Sequence, residues 1–253
     1  MTELIVADSV PLKDLASSVR EQFGSFSRNT SRPLRRASNV SAPEKVVEDN
    51  LHRDIRNSVI LLGFPGPSVH DKPDIYRMDV ASFLLGIGRG SLINRDVVES
   101  KHALSAGIEF QTQRFSGVIV LYAVTPDEKR EKARQALLES IEKLKIGNIT
   151  ARDLQRAKNF LKSNFRLSCE TNAGKAESLG FYAAIGEEKF PADYCEQLDK
   201  VTIADVKAVA NKYFTPSYYA VTMNRAPVEV QRHSSLDDYD GMGRRRTPGS
   251  RWF

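Results

Sequence analysis

The sequence predicts an α+β fold, a mainly antiparallel sheet with helices covering one face. Three observations predict it. Short apolar or alternating runs gather before Thr125, amphipathic helical stretches follow almost without interruption, and one further strand, Tyr218 to Met223, closes the ordered part. The order is strands with a helix insert, a hairpin, four or five helices and then a closing strand, which is an α+β layout.

Glu3 to Val6 reads as a short strand, followed from about Pro11 by a helix with Leu12, Leu15, Ala16, Val19 and Phe23 on one face and Gly24 as its stop. A Ser/Pro/Arg-rich connector then runs from Ser25 to Pro43. Connectors that long usually join separate packing units. Val46-Val47 and Val59 to Leu62 are the next strand candidates. The second is apolar without alternation and so expected at the centre of the sheet, with Phe64-Pro-Gly-Pro67 ending it. A helix from about Asp74 carries Ile75, Met78, Ala81, Phe83 and Leu85 into the turn Gly86-Ile-Gly-Arg-Gly-Ser91, and a short helix follows through Val98. Ile108, Phe110 and Thr112 alternate with Glu109, Gln111 and Gln113, the pattern of a strand with one wet face. Gly117 to Val124 is nearly all apolar, as expected of a strand covered on both faces.

Thr125-Pro-Asp-Glu128 reads as a helix start, with Thr125 as cap, Pro in the first turn and acids at the positive end of the dipole. Ala133, Leu137, Ile141 and Leu144 form its apolar stripe and Gly147 its stop. Thr150-Ala-Arg-Asp153 and Thr202-Ile-Ala-Asp205 are capping patterns. The helix from Ala151 turns Leu154, Ala157, Leu161 and Phe165 inward; Ala173 to Ile185 and Asp193 to Leu198 are also helical; Val206, Val209, Ala210 and Phe214 line the last helix.

The chain has 253 residues, 41% of them hydrophobic and 27% charged, which suits a globular domain with a proper core. The net charge of +5 raises the question of nucleic acid. The excess is concentrated in Arg28, Arg32, Arg35 and Arg36 and in Arg244, Arg245, Arg246 and Arg251, within stretches that read as unstructured and, in the first cluster, lack interleaved aromatics. A solvated basic loop and tail is the better reading. The two cysteines, Cys169 and Cys195, have no metal-ligand spacing and read as free thiols in a helical region. No stretch has the length of a membrane span, and the opening residues lack the layout of a signal peptide, so a cytoplasmic location is the default and the compartment is otherwise unknown.

The residues that carry chemistry are sparse. The histidines are His52, His70, His102 and His233, and no two stand three to five residues apart, so no helix face presents a His pair to zinc. The zinc motifs H-E-x-x-H and H-x-x-E-H are both absent, as is G-x-S-x-G. His102, near the hairpin, is the best lone candidate, with a surface or interface role as the plainer reading. Asp237, Asp238 and Asp240 lie in a Gly/Arg-rich tail and read as solvated charge. The spacing Gly86-x-Gly-x-Gly follows a helix and lacks the Lys-Ser/Thr of a phosphate loop, so a structural or peptide-facing turn is favoured over a phosphate cradle.

From Val59 to about Pro227 the chain resembles the C-terminal, non-catalytic domain of the insulinase, pitrilysin and mitochondrial-processing-peptidase family of zinc peptidases. The residues that carry the resemblance are Leu61-Leu-Gly-Phe-Pro-Gly-Pro, Leu85-Gly-Ile-Gly-Arg-Gly-Ser-Leu with Leu104-Ser-Ala-Gly-Ile, Thr150-Ala-Arg-Asp-Leu-Gln-Arg-Ala-Lys-Asn, Glu170-Thr through Gly180, and Val201 to Phe214. Leu4-Ile-Val-Ala-Asp-Ser and the helix ending at Phe23-Gly24 are similar to the last strand and helix of the preceding catalytic domain. The resemblance implies one inverzincin-type half of a pair of α+β domains that face each other across a chamber. Zinc is expected on the other half and no cofactor on this chain. In active relatives the second domain contributes an Arg and a Tyr that polarise the peptide carbonyl. Aligned on Leu104-Ser-Ala, those positions hold Glu99 and Ala106. A carboxylate would repel the developing oxyanion and an alanine offers no donor.

The expected organisation is a strand-helix remnant over residues 1–24, a basic linker over 25–43, a peptidase-like non-catalytic domain over 44–227 and a disordered basic tail over 228–253. The expected function is a non-catalytic half or subunit of a zinc-metallopeptidase-like assembly, inactive alone. Gly88, Arg89, Gly90, Ser91 and Arg95 would face the chamber and touch the backbone of an unfolded peptide, and the partner would be a zinc-bearing peptidase-like domain. The alternatives are a catalytically dead scaffold, resembling the core subunits of respiratory complexes, and a basic binding protein.

Overall fold

The computed structural model describes residues 11–26 and 40–225. The predicted strand at Glu3 to Val6, the basic cluster from Arg28 to Arg36 and the tail with His233 lie outside the described residues. An amphipathic helix, α1 (Leu12–Phe23), comes first, and none of its residues is buried. The strands are β1 (Val47–Arg53), β2 (Ser58–Gly66), β3 (Ser105–Gln111), β4 (Gly117–Thr125) and β5 (Tyr219–Arg225). They form one sheet in the order β1-β5-β2-β4-β3. All neighbours are antiparallel except β1 and β5, which run parallel.

As the unbroken apolar run predicts, β2 is central. It runs further than expected, through Phe64-Pro65 to Gly66, paired with β4 throughout. Pro65 is tolerated because β5 pairs with β2 only as far as Gly63, leaving that stretch a single neighbour.

Helices α2 (Lys72–Gly86), α3 (Arg130–Ile146) and α7 (Ile203–Tyr213) pack against one another, and each also touches the sheet. Between them and the sheet lies the core. Ile60, Leu62 and Phe64 of β2 and Ile119, Leu121 and Ala123 of β4 point into it beside Met78, Leu85, Leu137 and Val206. Each large apolar side chain sealed there contributes roughly 1.5–3 kcal/mol. Phe214 meets Phe64 edge-on, with ring centroids 5.3 Å apart. Three further helices, α4 (Ala151–Ser168), α5 (Asn172–Ile185) and α6 (Phe190–Lys200), complete the helical part.

The expectation that β4 is covered on both faces is corrected. Its burial alternates, with Ile119, Leu121 and Ala123 sealed, Val120 and Tyr122 half-buried and Val118 47% exposed. β2 behaves alike, with Val59 and Leu61 half-buried. Both faces are apolar, but helices pack tightly on only one, so composition alone does not report which face is sealed.

Of the three helix starts predicted from Thr residues, two form as expected and one does not. Thr150 and Thr202 each accept from the backbone N–H three residues on, and Asp153 and Asp205 reach back to their backbone N–H groups, forming two complete capping boxes. Gly147 ends α3 in the left-handed region, φ 79°. Thr125 does not cap a helix. Its buried hydroxyl donates instead to the His102 carbonyl at 2.7 Å, and α3 starts later, after a 3-10 turn over Asp127–Lys129.

Candidate functional site

The glycine turn connects α2 to a π-helical turn, Asn94–Glu99, which leads into β3. Gly88 adopts φ +81° with open space where a side chain would stand, a conformation that favours glycine. Ser91 N–H donates to the Gly88 carbonyl at 3.1 Å and closes the turn. Asn94 is the brace: its Nδ2 donates to the Arg89 carbonyl at 2.8 Å and to Glu99 Oε1 at 2.9 Å.

A second brace comes from α4. Arg156 Nη2 donates to the Gly90 carbonyl at 3.2 Å, ion-pairs with Asp153 at 3.3 Å and lies over the Phe83 ring. Phe83 is itself packed against Phe160, centroids 4.9 Å apart. A Cβ at Gly90 would come within 2.0 Å of the Arg156 guanidinium, so a side chain there would have to push that flexible group aside. Thr150, through the capping hydrogen bond, holds the Asp153 carboxyl below its usual range, and Arg156 and Arg95 act in the same direction.

Of the chamber-facing residues predicted from the sequence, Gly88, Arg89, Gly90 and Arg95 are exposed. Among the described residues neither Arg89 nor Arg95 forms an ion pair with an acid, though Arg95 lies near enough to Asp153 for its charge to be felt there. Ser91 differs. It is 1% exposed, and its hydroxyl accepts the Asn94 N–H at 3.3 Å, so its side chain serves the turn and does not reach outward. Glu99 is exposed and tethered to Asn94, while Ala106 is half-buried on β3 opposite Ala123. Neither offers a donor to a carbonyl oxygen.

Sequence reading missed Arg156, Asn94 and Phe83 as parts of this site. Arg156 stands 66 residues from Gly90, and nothing local marks it. It also missed a half-buried carboxyl. Asp79 on α2 accepts from Tyr194 Oη at 2.7 Å, beside an aromatic cluster of Tyr76, Phe190, Tyr182, Phe165 and Tyr194. Burial raises the Asp79 pKa to about 7 even though the Tyr194 hydrogen bond opposes it. Burial also raises Tyr76 to about 12.

Elsewhere, Asp74 gathers Lys212 at 2.6 Å, Tyr213 at 3.0 Å and Arg77 at 3.1 Å. Burial alone would raise its pKa, but these partners outweigh burial and lower it. A shallow cleft between Tyr76, Arg77, Lys200 and Asp205 adjoins this network, and Arg77 is already committed to Asp205 at 2.9 Å. His70 lies 3.7 Å from Glu187, which also pairs with Lys72. Cys169 and Cys195 are free thiols. Among the described residues no group of three or more His, Cys, Asp or Glu side chains is placed to hold a metal ion.

The sequence profile of the peptidase M16 inactive domain matches residues 2–161. A relative from Rickettsia felis, described as an uncharacterized zinc protease, is 28% identical over 216 residues, covering 84% of this chain and 50% of that protein. The chain thus spans about half the length of the relatives it matches. Mouse cytochrome b-c1 complex subunit 2 is 29% identical over 144 residues, covering 53% of this chain and 32% of that protein. Among solved structures, a protease from Helicobacter pylori superposes with a TM-score of 0.76 at 22% identity, covering 86% of this chain and 54% of that one, which shows a shared fold. With the profile matching well over half of its residues, the chain belongs to the peptidase M16 family of zinc proteases, as an inactive domain.

Proposed function

We propose that this domain forms one wall of a peptide-binding chamber whose zinc-bearing half is a separate peptidase-like domain. One observation carries the reading: a doubly braced turn presents the exposed Arg89 and Arg95 beside the tethered Glu99. Asn94 and Arg156 fix the turn from both sides by holding the Arg89 and Gly90 carbonyls, so the turn presents a pre-organised surface to an extended peptide. Glu99 and Ala106 supply nothing to polarise a scissile carbonyl, so this wall positions substrate and leaves the chemistry to the zinc half. The supporting relatives are zinc proteases by description.

The test is a peptidase assay on a quenched, unstructured peptide, using this chain alone, a zinc-bearing family domain alone, and the two mixed, with and without a chelator. Chelator-sensitive activity confined to the mixture, and reduced by Arg89→Ala with Arg95→Ala, supports the reading. Chelator-sensitive activity from this chain alone overturns it.

The similarity to mouse cytochrome b-c1 complex subunit 2 favours a second reading, a scaffold that never meets a zinc-bearing partner. Silence in every arm, together with no complex on size exclusion, selects that reading.

A further inference from the structure

We infer that β1 is a self-association edge that pairs antiparallel with β1 of a second copy of this chain. The strand is seven residues long, lies at the end of the sheet beyond β5, and keeps every side chain but Leu51 exposed. Val47 N–H donates to the Tyr218 carbonyl at 3.0 Å, so alternate residues from Val47 turn their backbone groups towards β5. Glu48, Asn50 and His52 turn theirs outward, a row of donors and acceptors that pairs with no other described strand.

What selects the occupant is charge order. Along Glu48-Asp-Asn-Leu-His-Arg53 the acids come first and the bases last. Parallel pairing in register sets like on like. Antiparallel pairing about a twofold axis at Leu51 sets Asp49 opposite Arg53 of the second copy, twice, and Leu51 opposite itself. Asp49 and Leu51 align with Val221 and Met223 of β5, so they lie on the incompletely covered apolar face of the sheet. In this register the Asp49 and Arg53 pairs are the non-hydrogen-bonded kind, in which opposing side chains come closest. Moving the axis to Asn50 sets Asp49 against Leu51 and Arg53 against Val47, losing both ion pairs. Glu48 is already taken by Arg134 on the helical side, whereas Asp49 has no ion-pair partner among the described residues. The contact is isologous, as a twofold dimer requires. It also leaves the glycine turn free, because that turn adjoins β3, the opposite edge of the sheet.

Sedimentation of the full chain over a concentration series tests this, with circular dichroism to establish that each variant stays folded. The wild type is expected to dimerise. Asp49→Arg and Arg53→Asp are each expected to weaken association roughly tenfold or more, by replacing two attractive cross-strand pairs with repulsive ones. An equimolar mixture of the two variants is expected to recover association, because every Arg at position 49 then faces an Asp at position 53. A wild type that stays monomeric overturns the inference, as does a dimer indifferent to both substitutions, or a mixture that associates no better than its components. A second copy is also excluded if the edge is filled by the chain's own residues 3–6, and a monomeric wild type is the readout of that case.

Discussion

Arg156 on α4 donates to the Gly90 carbonyl at 3.2 Å, and the same guanidinium occupies the space that a Cβ at Gly90 would enter. The two positions are coupled. Gly90→Ala displaces the far end of a flexible side chain and leaves the backbone in place, so its cost is expected below about 1 kcal/mol. Its effect falls on the turn instead. Amide hydrogen exchange at Gly88 to Ser91 should accelerate in both Gly90→Ala and Arg156→Ala, and the double variant should show little more than either alone.

Asp79 sets a pH dependence. Its folded-state pKa of about 7 lies above the unfolded carboxylate value of about 4, so the folded state binds the extra proton. Its contribution is fully present below the unfolded value and is lost as pH rises through the folded one. Chemical denaturation at several pH values should show that Asp79→Asn flattens the decline between about pH 4 and pH 7. At pH 8 the variant should be at least as stable as the wild type. A steeper decline in the variant would contradict this.

Phe190 is 1% exposed and stacked between Tyr76 and Tyr182, with centroids 4.8 and 4.3 Å away. Phe190→Ala should cost about 3–5 kcal/mol by urea denaturation. Phe181, 38% exposed, provides the control, with an expected loss below about 1 kcal/mol on truncation.

The two capping boxes make a matched pair. Thr150→Ala and Thr202→Ala should each cost about 1 kcal/mol, and Thr→Ser at either position much less, as read from thermal unfolding.

These caps also show what kind of information a sequence exposes. Thr150 with Asp153 and Thr202 with Asp205 were legible because the hydrogen bonds involved span three residues. So were the Gly147 stop and the alternation of Ile108 with Glu109. Thr125 misled for the same reason: it has the right neighbours for a cap, but the turn before β3 brings the His102 carbonyl within 2.7 Å and that acceptor wins. The exposed turn from Gly88 to Arg95 could be located from its glycines. Its braces could not, because Arg156 and Phe83 meet it only through packing. Nor could periodicity tell which apolar face of β2 and β4 the helices would seal.

The parallel pairing of β1 with β5 bears on the order in which the molecule can be assembled. Val47 aligns with Tyr219, about 170 residues later, and loops that long are slow to close. β5 is also the strand that lies between β1 and β2. A chain emerging from the ribosome can form the β3–β4 hairpin, add β2 and begin to pack α2 and α3, yet one side of β2 stays unzipped until its last strand is synthesised. Through most of translation the half-built sheet displays Val59, Leu61 and their neighbours along a bare edge. Any chaperone that attends this protein therefore has its longest task at the centre of the finished sheet.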